Sequence, residues 1–248
     1  MLTEKRYEII LSLLKEKGLI KVTELMDSTN TSESTIRRDL CTLESKGLLQ
    51  RIHGGAKSIN YTSKELSFKE KSSKNIHEKN ILAKYAASLI EDGECIFLDA
   101  GTSTYEIIKY LRNKDILVVT TGLNHIDALV DNDIRCYMIG GNVKLNTKAI
   151  VGSHAIKCLN KFRFDKCFIG TNGIDLKAGF TTPDCEEASI KSCAIDNSKI
   201  SFVLADNSKF NEISFVKFSE LEKCIIITNK ENGINEYKEI TDIKVVVK

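Results

Sequence analysis

The sequence predicts an α/β protein in two parts: a small, mainly helical N-terminal domain and a larger α/β sandwich with a largely parallel sheet. Three observations predict it. Apolar residues recur at helical spacing through the first 50 positions, short continuous apolar runs alternate with helical stretches beyond residue 80, and a polar stretch without sustained periodicity lies between. The chain has 248 residues, 42% of them hydrophobic, with 36 Lys+Arg against 34 Asp+Glu. That composition excludes wholesale disorder, and no stretch reaches the roughly 20 apolar residues that span a bilayer. The N-terminus MLTEKRYEII carries no apolar run followed by a small-residue cleavage site, so a cytoplasmic protein without a membrane partner is expected. Eight cysteines at irregular spacings, with no Cys-x-x-Cys pair and only four histidines, offer no zinc-type ligand set. They are expected to be reduced, and neither a metal site nor a cofactor is expected.

The N-terminal elements follow in order. Tyr7, Ile10, Leu11 and Leu14 fall at i, i+3, i+4, i+7, and Gly18 ends that first helix. Val22 to Met26 allows about two turns before the turn formers Asp27-Ser28-Thr29-Asn30. Ser32 is the expected N-cap of a third helix, with Ile36, Leu40 and Leu43 as its core stripe and Gly47 as its stop. A stripe at about 100° per residue turns Ser34, Arg38 and Cys41 to the opposite side and puts Thr35 and Arg37 at its flank. Leu48-Leu49 and Gln50-Arg51-Ile52-His53-Gly54-Gly55 then read as two short strands around a basic turn. Three helices and such a hairpin make a winged helix-turn-helix.

Net charge does not single out a nucleic-acid partner, because residues 1–57 hold ten Lys+Arg and eight Asp+Glu and the remainder holds 26 of each. The kind of cation is more telling, with chance on a solvated helix as the alternative. Four of the seven arginines (Arg6, Arg37, Arg38 and Arg51) lie in the first 51 residues. Arginine's planar fork meets phosphate or guanine edges bidentately, as lysine cannot. The expected DNA-binding residues are Ser32, Ser34, Thr35, Arg37 and Arg38 on the recognition helix, with Arg51 and His53 on the wing. A three-helix module for protein partners is the bland alternative.

The stretch TSESTIRRDLCTLESKGLLQRIHGGA, Thr31 to Ala56, resembles the hallmark of DeoR-family transcriptional regulators. It combines Ser-Glu-x-Thr-Ile-Arg-Arg-Asp-Leu, Leu-Glu-x-x-Gly and Arg-x-His-Gly-Gly-Ala at fixed offsets. The resemblance implies a DNA-binding domain over 1–57 with a double-stranded DNA operator as partner. Residues 58–75 read as a linker. Where the family usually has Glu-x-Pro-Phe, this chain has Glu65-Leu66-Ser67-Phe68, a change expected to loosen the linker.

From 76 to 248 the pattern is helix and buried strand. Ile81, Leu82, Tyr85 and Leu89 mark a helix, and Ile107, Ile108 and Leu111 another. The apolar runs 95–98, 117–119, 135–139, 166–169, 201–205, 224–227 and 243–247 suit strands covered on both faces. Polar loops follow these runs: Asp99-Ala100-Gly101-Thr102-Ser103-Thr104, Thr120-Thr121-Gly122, Gly140-Gly141-Asn142, Gly170-Thr171-Asn172-Gly173 and Asp206-Asn207-Ser208-Lys209. Ligands of open α/β sheets lie beyond the carboxyl ends of strands, where helix N-termini offer free N–H donors. Gly101 lets backbone approach an anion, Thr102, Ser103 and Thr104 add hydroxyls, and Lys209 can neutralise a phosphate. Capping alone is the competing reading of Gly-Thr-Ser-Thr.

The segments FLDAGTSTYEI, VVTTGLN, IGGNVK, VGSHA, DKCFIGTNGID, GFTTPDCEEASIK and VLADNSKF are similar, in order, to those of the DeoR-family sensor domain. The resemblance implies a fold like that of ribose-5-phosphate isomerase and a phosphorylated sugar as effector. The implied effector residues are Asp99, Gly101, Thr102, Ser103, Thr104, Thr121, Gly141, Asn172, Glu187 and Lys209. Asp99 could accept sugar hydroxyls or hold its loop together, and Glu187 could hold a hydroxyl or pair with Lys191 at i+4. Gly122 stands where the family often has Asn, and Ser103 where Thr is usual.

Isomerases of that fold need carboxylates after the fourth strand, in a stretch resembling Asp-Gly-Ala-Asp-Glu. Here the stretch is Ile169-Gly170-Thr171-Asn172-Gly173, and Asn172 cannot act as a base near pH 7. No catalytic residue is therefore assigned. The expectation is a non-enzymatic, homo-oligomeric (dimer or tetramer) repressor of a sugar-metabolism operon controlled by a sugar phosphate. A sugar-phosphate isomerase with a fused DNA-binding domain is the alternative, and a purely oligomerising α/β domain a third reading.

Overall fold

The computed structural model describes residues 2–52, 54–58 and 66–246. The chain divides into two units, Met1–Lys64 and Glu65–Lys248. His53, expected on the wing, and residues 59–65 of the expected linker lie outside the described residues.

The first unit runs α1 (Thr3–Lys17), β1 (Leu19–Lys21), α2 (Val22–Thr29), α3 (Glu33–Ser45), β2 (Leu49–Ile52) and β3 (Gly55–Ser58). Gly18, at φ +72, donates its N–H to the Leu14 carbonyl and ends α1. Ile10, Leu14, Ile20, Leu25, Ile36, Leu40, Leu43 and Leu49 are among the residues of its core, with Tyr7 and Leu11 partly buried against it, as the stripes of the first and third helices require. β3 lies between β1 and β2 in an antiparallel sheet. Gly55 is required there, because a Cβ would stand 2.2 Å from the Ile20 carbonyl oxygen. A buried ion pair fastens α1 to α3: Arg6 Nε and Nη2 donate to the Asp39 carboxylate at 2.6 and 3.0 Å. Arg6, one of the four N-terminal arginines, is therefore a structural residue.

In the second unit, α4 (Phe68–Ser73) and α5 (Ile76–Ser88) precede β4 (Cys95–Leu98), α6 (Thr102–Tyr105), β5 (Leu117–Thr120), α7 (Leu123–Asp131) and β6 (Arg135–Met138). A hairpin of β7 (Asn142–Val143) and β8 (Ile150–Val151) leads to α8 (Ser153–Leu159) and β9 (Phe164–Gly170). Then come β10 (Gly173–Asp175), β11 (Gly179–Thr182), α9 (Cys185–Asp196), β12 (Ser198–Ala205), β13 (Val216–Ser219), β14 (Ile225–Thr228), α10 (Asn235–Lys238) and β15 (Ile243–Val245). All seven expected runs are strands of one parallel sheet, ordered β15-β14-β12-β9-β4-β5-β6. β10, β11 and β13 form a separate antiparallel sheet.

Successive strand residues enter different cores. Phe97, Val119, Ile169 and Val203 pack with Ala155 and Leu159 of α8 and Ala188 and Ala194 of α9. Ile96, Leu98, Val118, Phe168 and Leu204 pack on the other face with Leu82 and Ala86 of α5 and Leu129 of α7. Burial on both faces is why these runs read as continuous rather than alternating. The chain moves from β4 outward to β5 and β6, then from β9 outward in the opposite direction. The order therefore reverses between β4 and β9, which opens a crevice beyond their carboxyl ends.

Two local expectations are corrected. The stretch 58–75 is not all linker, since residues 68–73 form α4. Ser67 does not loosen it: its Oγ accepts the Glu70 N–H while Glu70 Oε2 accepts the Ser67 N–H at 2.7 Å, a capping box that starts the helix. The helix expected through Ile107–Leu111 is only the four residues of α6 and a 3₁₀ turn at Ile108–Tyr110. So short a helix supplies little macrodipole, so an anion at this loop would depend on its backbone and side-chain donors.

Candidate functional site

On the first unit, α3 buries Ile36, Asp39, Leu40 and Leu43 and leaves Ser32, Ser34, Arg37, Arg38 and Cys41 exposed, with Thr35 half-buried. Ser32 occupies the N-cap position, but its side chain caps no backbone N–H; its hydroxyl lies 3.1 Å from that of Ser34 and 3.0 Å from that of Thr35. Three hydroxyls thus share the helix start. Arg37 Nη2 lies 2.6 Å from Glu33 in an open i,i+4 pair. Arg38 forms no ion pair among the described residues. Arg51 Nη1 donates to Cys41 Sγ at 2.7 Å, and its backbone N–H to Glu44 Oε1 at 2.8 Å, which ties the wing to α3. Arg37, Arg51, Ile52 and Gly54 line one notch of about 350 Å³. Arg37 of α3 and Arg51 of the wing thus line the same notch.

On the second unit, Asp99 follows β4 and Gly170 ends β9, across the crevice. Asp99 Oδ2 accepts the Gly170 N–H at 3.0 Å and the Lys191 ammonium at 2.5 Å, and Lys191 also donates to the Gly170 carbonyl at 2.9 Å. This buried pair joins the two strand ends. The helix-face pair Glu187–Lys191 does not form. Lys191 turns to Asp99, and Glu187 accepts from Lys144 at 2.8 Å and Thr147 at 2.7 Å. Burial would raise the Glu187 carboxyl, but Lys191, Lys144 and Thr147 outweigh it and hold it below its ordinary value.

Thr102 is buried and Ser103 half-buried at the loop. Thr104 is fully buried, and its hydroxyl donates to the Asp99 and Gly101 carbonyls, so it shapes the loop rather than facing a ligand. Gly101 is close to both partners: a Cβ there would stand 3.4 Å from Asp99 Oδ2. Gly141 is fixed by packing, with the Val151 carbonyl 2.7 Å from where its Cβ would be. Thr121 is buried and receives the Ile150 N–H on its carbonyl, and Asn172 Oδ1 accepts from Thr182 at 3.3 Å. Asp206 is buried beside Lys209. Burial opposes its ionisation, but Lys209 and the Ser208 donors hold its carboxyl below the ordinary value.

Two residues of this site escaped the sequence reading. Lys79, on α5, is buried; its ammonium donates to the Lys71 carbonyl, and burial together with the Lys209 charge pushes its pKa down to about 8. Lys79 precedes Leu82 on a helix already accounted for by its apolar stripe, so only the packing of α5 reveals its role. His125 is fully buried, with Nε2 3.4 Å from Thr104 Oγ1 and its ring edge-on to Tyr105. Burial pushes its pKa down to about 3, so it is neutral. A Cβ on Gly122 would stand 2.2 Å from His125 Nδ1. Gly122, the departure noted above, is the residue that leaves room for this imidazole.

The fold and the two faces define a DNA-binding protein with an attached α/β sensor. The comparisons agree: a model of the DeoR-like helix-turn-helix domain matches residues 6–62, and one of the DeoR C terminal sensor domain matches 74–247. The chain belongs to the DeoR family of transcriptional regulators. It is 48% identical over 249 residues, 99% of each chain, to the uncharacterized HTH-type transcriptional regulator FruR of Bacillus subtilis (strain 168). It is 34% identical to the lactose phosphotransferase system repressor of Staphylococcus aureus (strain NCTC 8325 / PS 47), over 96% of this chain and 98% of that one. A fainter likeness, TM-score 0.42 at 18% identity, covers 55% of this chain and 55% of ribose 5-phosphate isomerase A from Methanocaldococcus jannaschii. No helix among the described residues is long and apolar enough to cross a membrane.

Proposed function

We propose that this regulator represses sugar-utilisation genes and that a phosphorylated sugar bound at the crevice of the second unit controls it. The observation that carries the reading is the pair of ammonium groups, the buried Lys79 and the half-buried Lys209, with Lys79 within electrostatic reach of Lys209. Burial opposes both charges and Lys209 further opposes that of Lys79, although Asp206 supports the two. A dianionic ligand offsets that opposition, and the Gly101–Ser103 loop offers backbone and hydroxyl donors to it. Sugar specificity falls to polar groups around the loop, among them Asn172. One of the two relatives is named as a repressor of a lactose phosphotransferase system, which supports the same assignment.

The isomerase alternative lacks its proton carriers. Asp99 and Glu187 are each engaged by a lysine, and Asn172 stands where an acid would be needed. On the DNA side, one winged helix covers one half-site, so a homodimer reading a symmetric operator is the proposed assembly. Calorimetry of the full chain with phosphorylated and free fructose, galactose, glucose and ribose tests the reading. At least one phosphorylated sugar should bind, its free counterpart should bind far more weakly, and Thr102→Ala/Ser103→Ala should weaken the complex. If no phosphorylated sugar binds, or binding is unchanged in the double variant, the loop is not the phosphate site.

A further inference from the structure

The second unit opens with α4, and its two ends are held differently. At its start, the Phe68 ring meets Tyr105 of α6 edge-on at 5.7 Å, the Phe68 N–H donates to the Asn146 carbonyl at 3.0 Å, and the capping box fixes Ser67 to Glu70. At its end, the Lys71 carbonyl accepts the Lys79 ammonium. Lys71 and Lys74 bring two more positive charges to the cluster. Burial disfavours the Lys209 charge, and although Asp206 supports it, Lys74 and Lys71 oppose it further; Lys71 acts in the same sense on Lys79. Lys79 is thus within electrostatic reach of Lys71 and Lys209, and Lys209 of Lys71 and Lys74, with Asp206, Glu106 and Glu212 as the carboxylates within the same reach.

Resting on the reading of the crevice as a phosphate site, we infer that α4 is the movable wall of that site: a bound phosphate takes the Lys79 ammonium from the Lys71 carbonyl, draws in Lys71 and Lys74, and so shifts the first helix after the DNA-binding unit. The exchange is favourable because a phosphate dianion attracts the Lys79 ammonium through its full charge, whereas the neutral Lys71 carbonyl offers only a dipole. It also gives the ligand a preference between two positions of α4, without which no ligand can shift a conformational equilibrium. Phe68 is the pivot, since it joins α4 both to α6 of the loop and, through Asn146, to the β7–β8 connection. Glu187 grips that connection through Lys144 and Thr147. Occupancy of the crevice is thereby carried to the point where the chain leaves the DNA-binding unit.

The test uses the full chain, a duplex from upstream of its own gene, and inorganic phosphate, fructose 1-phosphate and fructose 6-phosphate as probes, with chloride at matched ionic strength as the blank. In the wild type, a bound probe should change duplex affinity and slow hydrogen exchange of the α4 amides about threefold or more. Lys71→Met/Lys74→Met should weaken probe binding about fivefold or more, as expected for lost charge-assisted contacts. Phe68→Ala should bind the probe within about twofold of wild type while its duplex affinity no longer responds, and Phe68→Leu should restore the response. Wild-type probe affinity in the double variant, or a wild-type duplex response in Phe68→Ala, overturns the role of α4. Probe binding that leaves α4 exchange unchanged overturns it while sparing the phosphate site, whereas a wild type that binds no probe overturns both.

Discussion

Truncating either arginine in the N-terminal half of α3 should weaken operator binding while leaving the fold intact. Arg37 and Glu33 have 57% and 54% of their side-chain surface exposed, so their pair contributes only about 0.3–0.5 kcal/mol to stability. Arg38 is exposed and pairs with no carboxylate among the described residues, so its loss should leave stability nearly unchanged. A lost bidentate contact to a base costs about 1–3 kcal/mol, or about 5- to 140-fold in affinity per half-site. Arg37 must first leave Glu33 to reach DNA, so its net contribution is smaller and Arg38→Ala should be the more damaging change. The measurement is fluorescence anisotropy on the upstream duplex and on a scrambled duplex, at three salt concentrations, alongside thermal unfolding. A base-reading arginine lowers affinity for the operator alone. A phosphate-contacting one lowers both and reduces the salt slope by about 0.9. If both variants bind the operator as wild type does, α3 is not the recognition helix.

Lys79 should make effector binding depend on pH. Its pKa in the free protein is about 8 against an ordinary 10.5, and a bound phosphate favours the charged form and raises it again. Binding therefore takes up a proton above pH 8, so affinity should be level below that pH and fall up to about tenfold per unit above it. Lys79→Met should bind more weakly and with a flatter profile, whereas a flat wild-type profile from pH 7.5 to 9.5, read by calorimetry, would exclude Lys79 from the site. Lys191→Met strands the buried Asp99 carboxylate and should cost about 3–5 kcal/mol in urea unfolding; a loss under about 1 kcal/mol would mean that water reaches the pair. Gly122→Ala drives a methyl into the His125 ring and should cost about 1–3 kcal/mol. The additional His125→Ala change should relieve the clash, so a double-mutant cycle showing simple additivity would refute their coupling.

Much of the α3 surface was legible in the sequence because the helical period and a single apolar stripe fix which residues point outward. Ile36, Leu40 and Leu43 are buried as that stripe requires, which leaves Arg37 and Arg38 outside. The seven strands were legible for a similar reason, since burial on both faces leaves an uninterrupted apolar run. Ser67 was misread because a proline lost from a familiar pattern suggested looseness, while the compensating Glu70 acts three residues away.

The sequence by itself determined the kinds of element, the outward face of the recognition helix and the loops that end the strands, all properties of residues within a few turns of one another. Only the tertiary structure decided which of those residues meet. Arg6 finds Asp39 across 33 residues, and Lys191 finds Asp99 across 92, leaving Glu187 to Lys144. Lys79 comes within electrostatic reach of Lys209 because α5 packs beside the sheet, and Gly122 makes room for an imidazole that also touches Thr104. The physical reason is strand order. Periodicity shows that a strand exists but not which strand lies beside it, and the reversal between β4 and β9 gathers loops distant in sequence around one crevice.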